Sequence, residues 1–283
     1  MSIFKTSDGV HLYFEDWGQG KPLVFVHGWP LSAAMWEYQT VPLAAAGFRC
    51  IAYDRRGFGR SDKPYAGYDY GRLGLDLAEL IEHLELSDAT LVGFSMGGGE
   101  VADNLTRHND KGRVTRAMLI SSIVPYMSKT PDNPDGVDAS TINEILLGLT
   151  NDRPGFLTTF IEQFFGVGLI TSPVSEPILA TSRDIAMQAS PVATLECVKS
   201  FALTDFRSVV PSIKVPTLVI HGDGDQTVPI AATGKRAAEL IPGAELKIYS
   251  GAPHGLYYTN RHELTRDIAA FASEGRVVIG ASA

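Results

Sequence analysis

Leu23–Val26 is an unbroken apolar run that ends at His27-Gly28, and the chain repeats the device. Arg49–Tyr53 stops at Asp54 and Thr90–Phe94 stops at Ser95. Val114–Ser121, Thr217–His221 and Leu246–Tyr249 follow in the same style. Runs this short and this continuous fit strands covered on both faces. Between the second and third runs, Leu73, Leu77, Leu80, Ile81 and Leu84 recur at helical spacing. Strands alternating with helices predict an α/β fold with a mostly parallel, doubly wound sheet and right-handed crossovers. Asp8-Gly9 between Phe4–Thr6 and Val10–Trp17 adds an N-terminal hairpin, which brings the expected sheet to eight strands.

One stretch breaks the alternation. Residues 124–206 hold no short β-like run, open on Pro125, Pro131, Pro134 and Gly136, and then show helical patterns. These patterns lie near Thr141–Leu149, Gly155–Phe165 and Ser175–Ala189. The expected organisation is an α/β core of residues 1–123 and 207–274, a helical insertion at 124–206, and a tail at 275–283 beyond a last helix near Arg261–Ser273.

Composition removes whole classes of function. The 283 residues are 45% hydrophobic and 20% charged, enough apolar material for a large core. Lys and Arg number 24 against 32 Asp and Glu, a formal net charge of −8, and the basic residues form no cluster. That balance argues against nucleic acid and against an anionic membrane surface. The only cysteines, Cys50 and Cys197, sit among apolar neighbours and read as buried free thiols. No basic-then-apolar leader opens the chain and no apolar run nears the ~20 residues of a membrane span. A cytoplasmic protein is expected.

The chemistry gathers at the ends of the apolar runs. Gly93-Phe94-Ser95-Met96-Gly97 is G-x-S-x-G, placed directly after a strand and before a helix, where a nucleophile elbow belongs. A serine needs a base to take its proton. Of seven histidines, His11, His83, His108 and His262 have surface or helix-end explanations, while His27 and His221 can order loops by hydrogen bonding. His254 lies in a loop just after the last strand, where the base of this arrangement must stand. The acid should follow a strand between serine and histidine. Asp223 and Asp225 both qualify; Asp225, deeper in its loop, is preferred, and Asp223 is read as a turn former beside Gly224. The N–H of Met96 should supply one oxyanion donor. The other should come from His27-Gly28-Trp29-Pro30, and since Pro30 has no N–H, it falls to Trp29.

HGWP, YDRRGFGRSD, LVGFSMGGGE, HGDGDQTVP and GAPHG, in this order, resemble the α/β-hydrolase superfamily. They are similar, more narrowly, to its bacterial aryl-esterase and cofactor-free (non-haem) haloperoxidase, or perhydrolase, branch. The resemblance spans the chain up to the tail. It implies Ser95 as nucleophile, Asp225 as acid, His254 as base, Trp29 and Met96 as oxyanion donors, and the insertion as a helical cap. It implies no haem, metal or other cofactor. Asp54–Asp62 matches a segment read as structural, with Arg55 and Arg56 in buried or subunit contacts.

The implied activity is acyl transfer through Ser95 on small aryl esters, with water giving hydrolysis and hydrogen peroxide giving a peracid. Phe160, Phe164, Phe165, Ile170 and Leu179 suggest a small apolar acyl pocket, though about half should be cap core. Pro30 is assigned to nucleophile selection, since branch members with proline there resemble perhydrolases and those with leucine resemble esterases. Similar proteins are often homo-oligomers. A γ-lactamase or amidase, or a ligand sensor that keeps its triad, are the alternatives. Epoxide hydrolases and dehalogenases are disfavoured because serine stands where they use aspartate. No G-x-G-x-x-G follows the first apolar run and no H-E-x-x-H occurs.

Overall fold

The computed structural model describes residues 2–274. An N-terminal hairpin pairs β1 (Ser2–Lys5) with β2 (His11–Trp17), turning through Asp8-Gly9 as its sequence predicts. β3 (Pro22–Val26) leads through a 3₁₀ turn to α1 (Glu37–Ala45) and β4 (Arg49–Tyr53). Then come α2 (Tyr70–His83), β5 (Ala89–Phe94), α3 (Met96–Arg107) and β6 (Val114–Ile120). Four helices precede the next strand: α4 (Ala139–Asn151), α5 (Arg153–Phe164), α6 (Glu176–Met187) and α7 (Pro191–Leu203). The chain closes with β7 (Thr217–Gly222), α8 (Gly234–Leu240), β8 (Glu245–Tyr249), α9 (Leu256–Thr259) and α10 (Arg261–Glu274). The expected tail, 275–283, lies outside the described residues.

The eight strands form one sheet in the order β1-β2-β4-β3-β5-β6-β7-β8, parallel apart from the pairings of β2. Alternate residues of each strand face opposite sides. Leu23, Phe25, Val92 and Phe94 join one core with Leu43 of α1 and Leu264, Ile268 and Phe271 of α10. Val24, Val26, Leu91 and Leu119 join the other, under Leu73, Leu77 and Leu80 of α2 and Val101 of α3. The continuous apolar runs are thus explained: both faces are covered. β8 departs from this. It is an edge strand and leaves Leu246 and Ile248 partly exposed.

β3 has β4 on one side and β5 on the other, so the strand order reverses there. A crevice opens at the carboxyl ends of strands at such a point, the usual ligand site of an open α/β sheet. His27 and Ser95 follow those two strand ends. Among the described residues, no helix is long and apolar enough to cross a membrane. Both cysteines are free and buried, as their neighbours suggested.

Candidate active site

Ser95 follows β5 directly and holds φ +53° and ψ −120° before α3 begins. A side chain in that left-handed region costs on the order of 1–2 kcal/mol. The surroundings hold it there. Ser95 N–H donates to the Ile120 carbonyl at 2.9 Å, and the Ser95 carbonyl accepts from Gly98 at 3.1 Å and Ile123 at 3.3 Å. The flanking glycines permit the turn: a Cβ on Gly97 would stand 2.4 Å from the Val26 carbonyl oxygen, and one on Gly93 2.8 Å from that of Gly97. The hydroxyl makes no cap to α3 and turns to His254 instead.

His254 sits in the loop after β8, with Nε2 2.9 Å from Ser95 Oγ and Nδ1 2.7 Å from Asp225 Oδ2. A carboxylate can only accept, so Nδ1 carries the proton and Nε2 is left to receive one from the hydroxyl. The other oxygen of Asp225 accepts from the backbone N–H groups of Thr227 at 2.9 Å and Val228 at 2.8 Å. Burial pushes the Asp225 carboxyl up, but His254 and the hydrogen bonds from His221 and His254 outweigh it and hold it below the usual carboxylate range. Phe94 and Phe164 pack against the His254 ring with centroids 5.0 and 4.9 Å away, which keeps water off it. Asp223 is elsewhere. Its carboxylate accepts from Gly251 N–H at 2.5 Å, so it ties the loop after β7 to the loop after β8 rather than closing the local turn expected of it.

Trp29 and Met96 flank the same crevice. Among the described residues, neither backbone N–H donates to a protein acceptor. Gly28-Trp29-Pro30-Leu31 is a turn closed by Leu31 N–H on the Gly28 carbonyl at 3.0 Å, with Pro30 buried and its peptide cis. The Trp29 indole donates to the Thr194 carbonyl in α7 at 3.1 Å.

Behind this turn lies a buried polar network that the motif pattern only hinted at. Arg55 N–H donates to His27 Nε2 at 3.0 Å, and His27 Nδ1 reaches the Gly28 carbonyl at 2.9 Å. The Arg55 guanidinium also reaches the His27 carbonyl and Glu100, and Glu100 accepts in addition from the Tyr53 hydroxyl at 2.5 Å. Burial, then the Arg55 charge, drives His27 well below the usual histidine range, so it is neutral and serves as a fixed hydrogen-bonding ring. Arg56 is equally buried, paired with Asp76 and Asp8. An acid in the otherwise small-residue stretch Gly97-Gly98-Gly99-Glu100 was the available signal for Glu100.

A cavity of about 50 Å³ opens onto Ser95 and His254. Its walls are mainly apolar, with Trp29, Ile123, Met127, Ile145, Phe160 and Phe201 contributing. Of the aromatic and aliphatic cap residues expected to line it, only Phe160 does. Phe164, Phe165 and Leu179 are buried in the core cluster that holds Phe94, with Phe164 behind the His254 ring, and Ile170 is 96% exposed.

Residues 21–261 match the α/β-hydrolase fold family. The chain belongs to that family. It is 41% identical over 261 residues to a putative non-heme chloroperoxidase of Synechocystis, covering 92% of this chain and 94% of the relative. It is 37% identical to a bifunctional esterase/perhydrolase of Acinetobacter calcoaceticus, across 96% of this chain and 99% of that one. The crystal structure of a bromoperoxidase from Bacillus anthracis superposes with a TM-score of 0.92 at 42% identity, covering 96% of this chain and all of that one. The fold family and the expected branch are therefore those read from the five motifs, and the eight-stranded sheet is the one read from the apolar runs and the hairpin.

Proposed function

We propose that this chain is a serine hydrolase that takes small carboxylic esters through an acyl-Ser95 intermediate and passes the acyl group to water or to hydrogen peroxide. The observation that carries the reading is the continuous path Ser95 Oγ, His254, Asp225, at 2.9 and 2.7 Å. His254 Nε2 takes the hydroxyl proton as Oγ attacks the acyl carbonyl, and Asp225 supports the imidazolium without taking its proton. The free N–H groups of Trp29 and Met96 receive the developing oxyanion; donors of this kind are worth about 3–4 kcal/mol each. His254 then returns the proton to the leaving alcohol. Water releases the carboxylic acid, and hydrogen peroxide releases a peracid, which can oxidise halide away from the protein.

The names borne by relatives in both the esterase/perhydrolase and the chloroperoxidase groups support the same pair of activities. The serine route uses no cofactor. The small, mainly apolar cavity favours a short acyl group. Residues 124–206 act as the cap that closes it, the copies of the chain associate as a homo-oligomer, and the protein works in the cytoplasm. Size-exclusion chromatography with light scattering tests the second of these. The central reading is tested with an alkyl fluorophosphonate. Labelling should be stoichiometric in the native protein and absent in Ser95→Ala, which should also lose hydrolysis of aryl acetates while its melting curve is retained. Turnover surviving in Ser95→Ala at more than a few per cent would overturn the assignment. Labelling without ester turnover would favour a sensor.

A further inference from the structure

Asp225 Oδ2 is shared. His254 holds it from one side, and His221 Nε2 approaches it at 3.3 Å from the other. His221 is the penultimate residue of β7, wholly buried, and its Nε2 also faces the Val228 carbonyl oxygen at 3.0 Å. A carbonyl oxygen and a carboxylate are both acceptors, so Nε2 must carry the hydrogen and share it between them. Nδ1 is then the bare nitrogen. It has no hydrogen-bond partner among the described residues, and a Cβ on Gly234 would stand 2.7 Å from it. The ring therefore presents its one N–H toward the Val228 carbonyl and toward the carboxylate beside the base.

We infer that His221 is a positioning residue that fixes the Asp225 carboxylate for His254. The inference rests on the triad reading above. Asp225 accepts through Oδ1 from two backbone N–H groups and through Oδ2 from His254 Nδ1, and His221 Nε2 stands 3.3 Å from the same Oδ2. Asp223, the other acid of this loop, is committed to Gly251 and does not compete. Two fixed N–H groups set one edge of the carboxylate; His221 sets the other, so Oδ2 stays in line with His254 Nδ1 while the imidazole changes charge. Because Val228 also lines the cavity, the same ring bonds both the acid and the pocket wall.

The test compares His221→Phe, which keeps a ring without the donor, with His221→Gln, whose amide nitrogen reaches the Nε2 position. His221→Phe should lower kcat for an aryl acetate about tenfold with KM nearly unchanged, the effect of one hydrogen bond to a charged group. The acidic limb of its kcat/KM profile should move to higher pH, because a carboxylate with one donor fewer holds the protonated His254 ring more firmly. His221→Gln should return kcat to within about threefold and the limb to its original place. Equal values in the two variants, or a kcat loss with an unmoved limb, would reduce His221 to a packing residue and overturn the inference. If His221→Phe does not fold, His221→Asn, whose amide stops short at the Nδ1 position, replaces it in the same comparison. Loss of activity in Ser95→Ala, measured alongside, separates failure here from failure of the triad.

Discussion

Arg55 Nε donates to Glu100 Oε1 at 2.5 Å, and both side chains are buried. Burial pushes the Glu100 carboxyl up, and Arg55 and the Tyr53 hydroxyl pull it back. The pair joins α3, the helix that starts after Ser95, to the turn that carries Trp29, because the same guanidinium bonds the His27 carbonyl at 2.6 Å. Glu100→Gln leaves a guanidinium buried without its counter-charge. Breaking a buried pair in this way costs about 3–5 kcal/mol. Urea denaturation followed by circular dichroism should show a loss of that order, and a loss under about 1 kcal/mol would mean that the pair is not ionised.

The two acids after β7 should separate cleanly. Asp225→Asn should cost on the order of 10⁴ in kcat, because an amide beside Nδ1 mis-sets the His254 tautomer. Asp223→Asn should change kcat only a few-fold, since an amide oxygen still accepts from Gly251 N–H. Steady-state hydrolysis of an aryl acetate by both variants decides it. A reversed ranking would make Asp223 the acid.

The acyl pocket should yield to one truncation. Phe160 meets the Trp29 indole edge to face at 5.0 Å and helps to close a cavity of about 50 Å³. An added methylene in an apolar pocket is worth about 1–3 kcal/mol in discrimination. Phe160→Ala should therefore raise the butyrate-to-acetate ratio of kcat/KM by at least about tenfold. An unchanged ratio would place the acyl chain elsewhere.

The residues of the candidate site were legible in the sequence because each follows a strand end. Ser95, Asp225 and His254 lie just past β5, β7 and β8; continuous apolar runs mark the first two strands, and a run broken by Lys247 marks the third. The pocket was not legible in the same way. Phe160 and Phe164 share one face of α5 with rings 6.0 Å apart, yet only Phe160 reaches the cavity, while Phe164 packs on Phe94 and Phe165, just past the helix, on Tyr257. Which residue along a helix face meets a cavity depends on packing, not on composition. Helix α7 is hard to read from sequence because its buried face, Ala193, Thr194, Cys197, Val198, Phe201 and Ala202, mixes small and polar residues with only one large apolar side chain. His221 was readable as a loop-ordering residue, but its approach to Asp225 depends on how the β7 loop folds back.

The thiols give a pH test. Burial pushes Cys197 up to about 12. Its folded value lies above the unfolded one, near 8.5, so the contribution is complete below about pH 8 and is lost as pH rises toward 12. The unfolding free energy should fall across pH 9–11, by at most about 1.4 kcal/mol per pH unit for this group, and the slope should ease in Cys197→Ala. At pH 8 the native protein should resist thiol reagents. Prompt labelling of Cys197 would contradict its burial.

We propose that Pro30 bears on which nucleophile the acyl group meets. Proline fixes its own φ near −65° and restricts the backbone of the residue before it. That residue is Trp29, whose N–H faces the proposed oxyanion site, so its carbonyl orientation is set by the same constraint. Held close to the acyl centre, that carbonyl would accept a hydrogen bond from hydrogen peroxide and favour it over water. Pro30→Leu lifts the constraint while keeping an apolar side chain in a buried position. Peracid formation from acetate and hydrogen peroxide should fall several-fold, while hydrolysis of an aryl acetate stays equal or rises. The ratio of the two kcat/KM values, measured in one preparation, is the quantity to follow. If that ratio does not move, Pro30 only stiffens the turn, and selection between water and peroxide must be sought in the cavity walls.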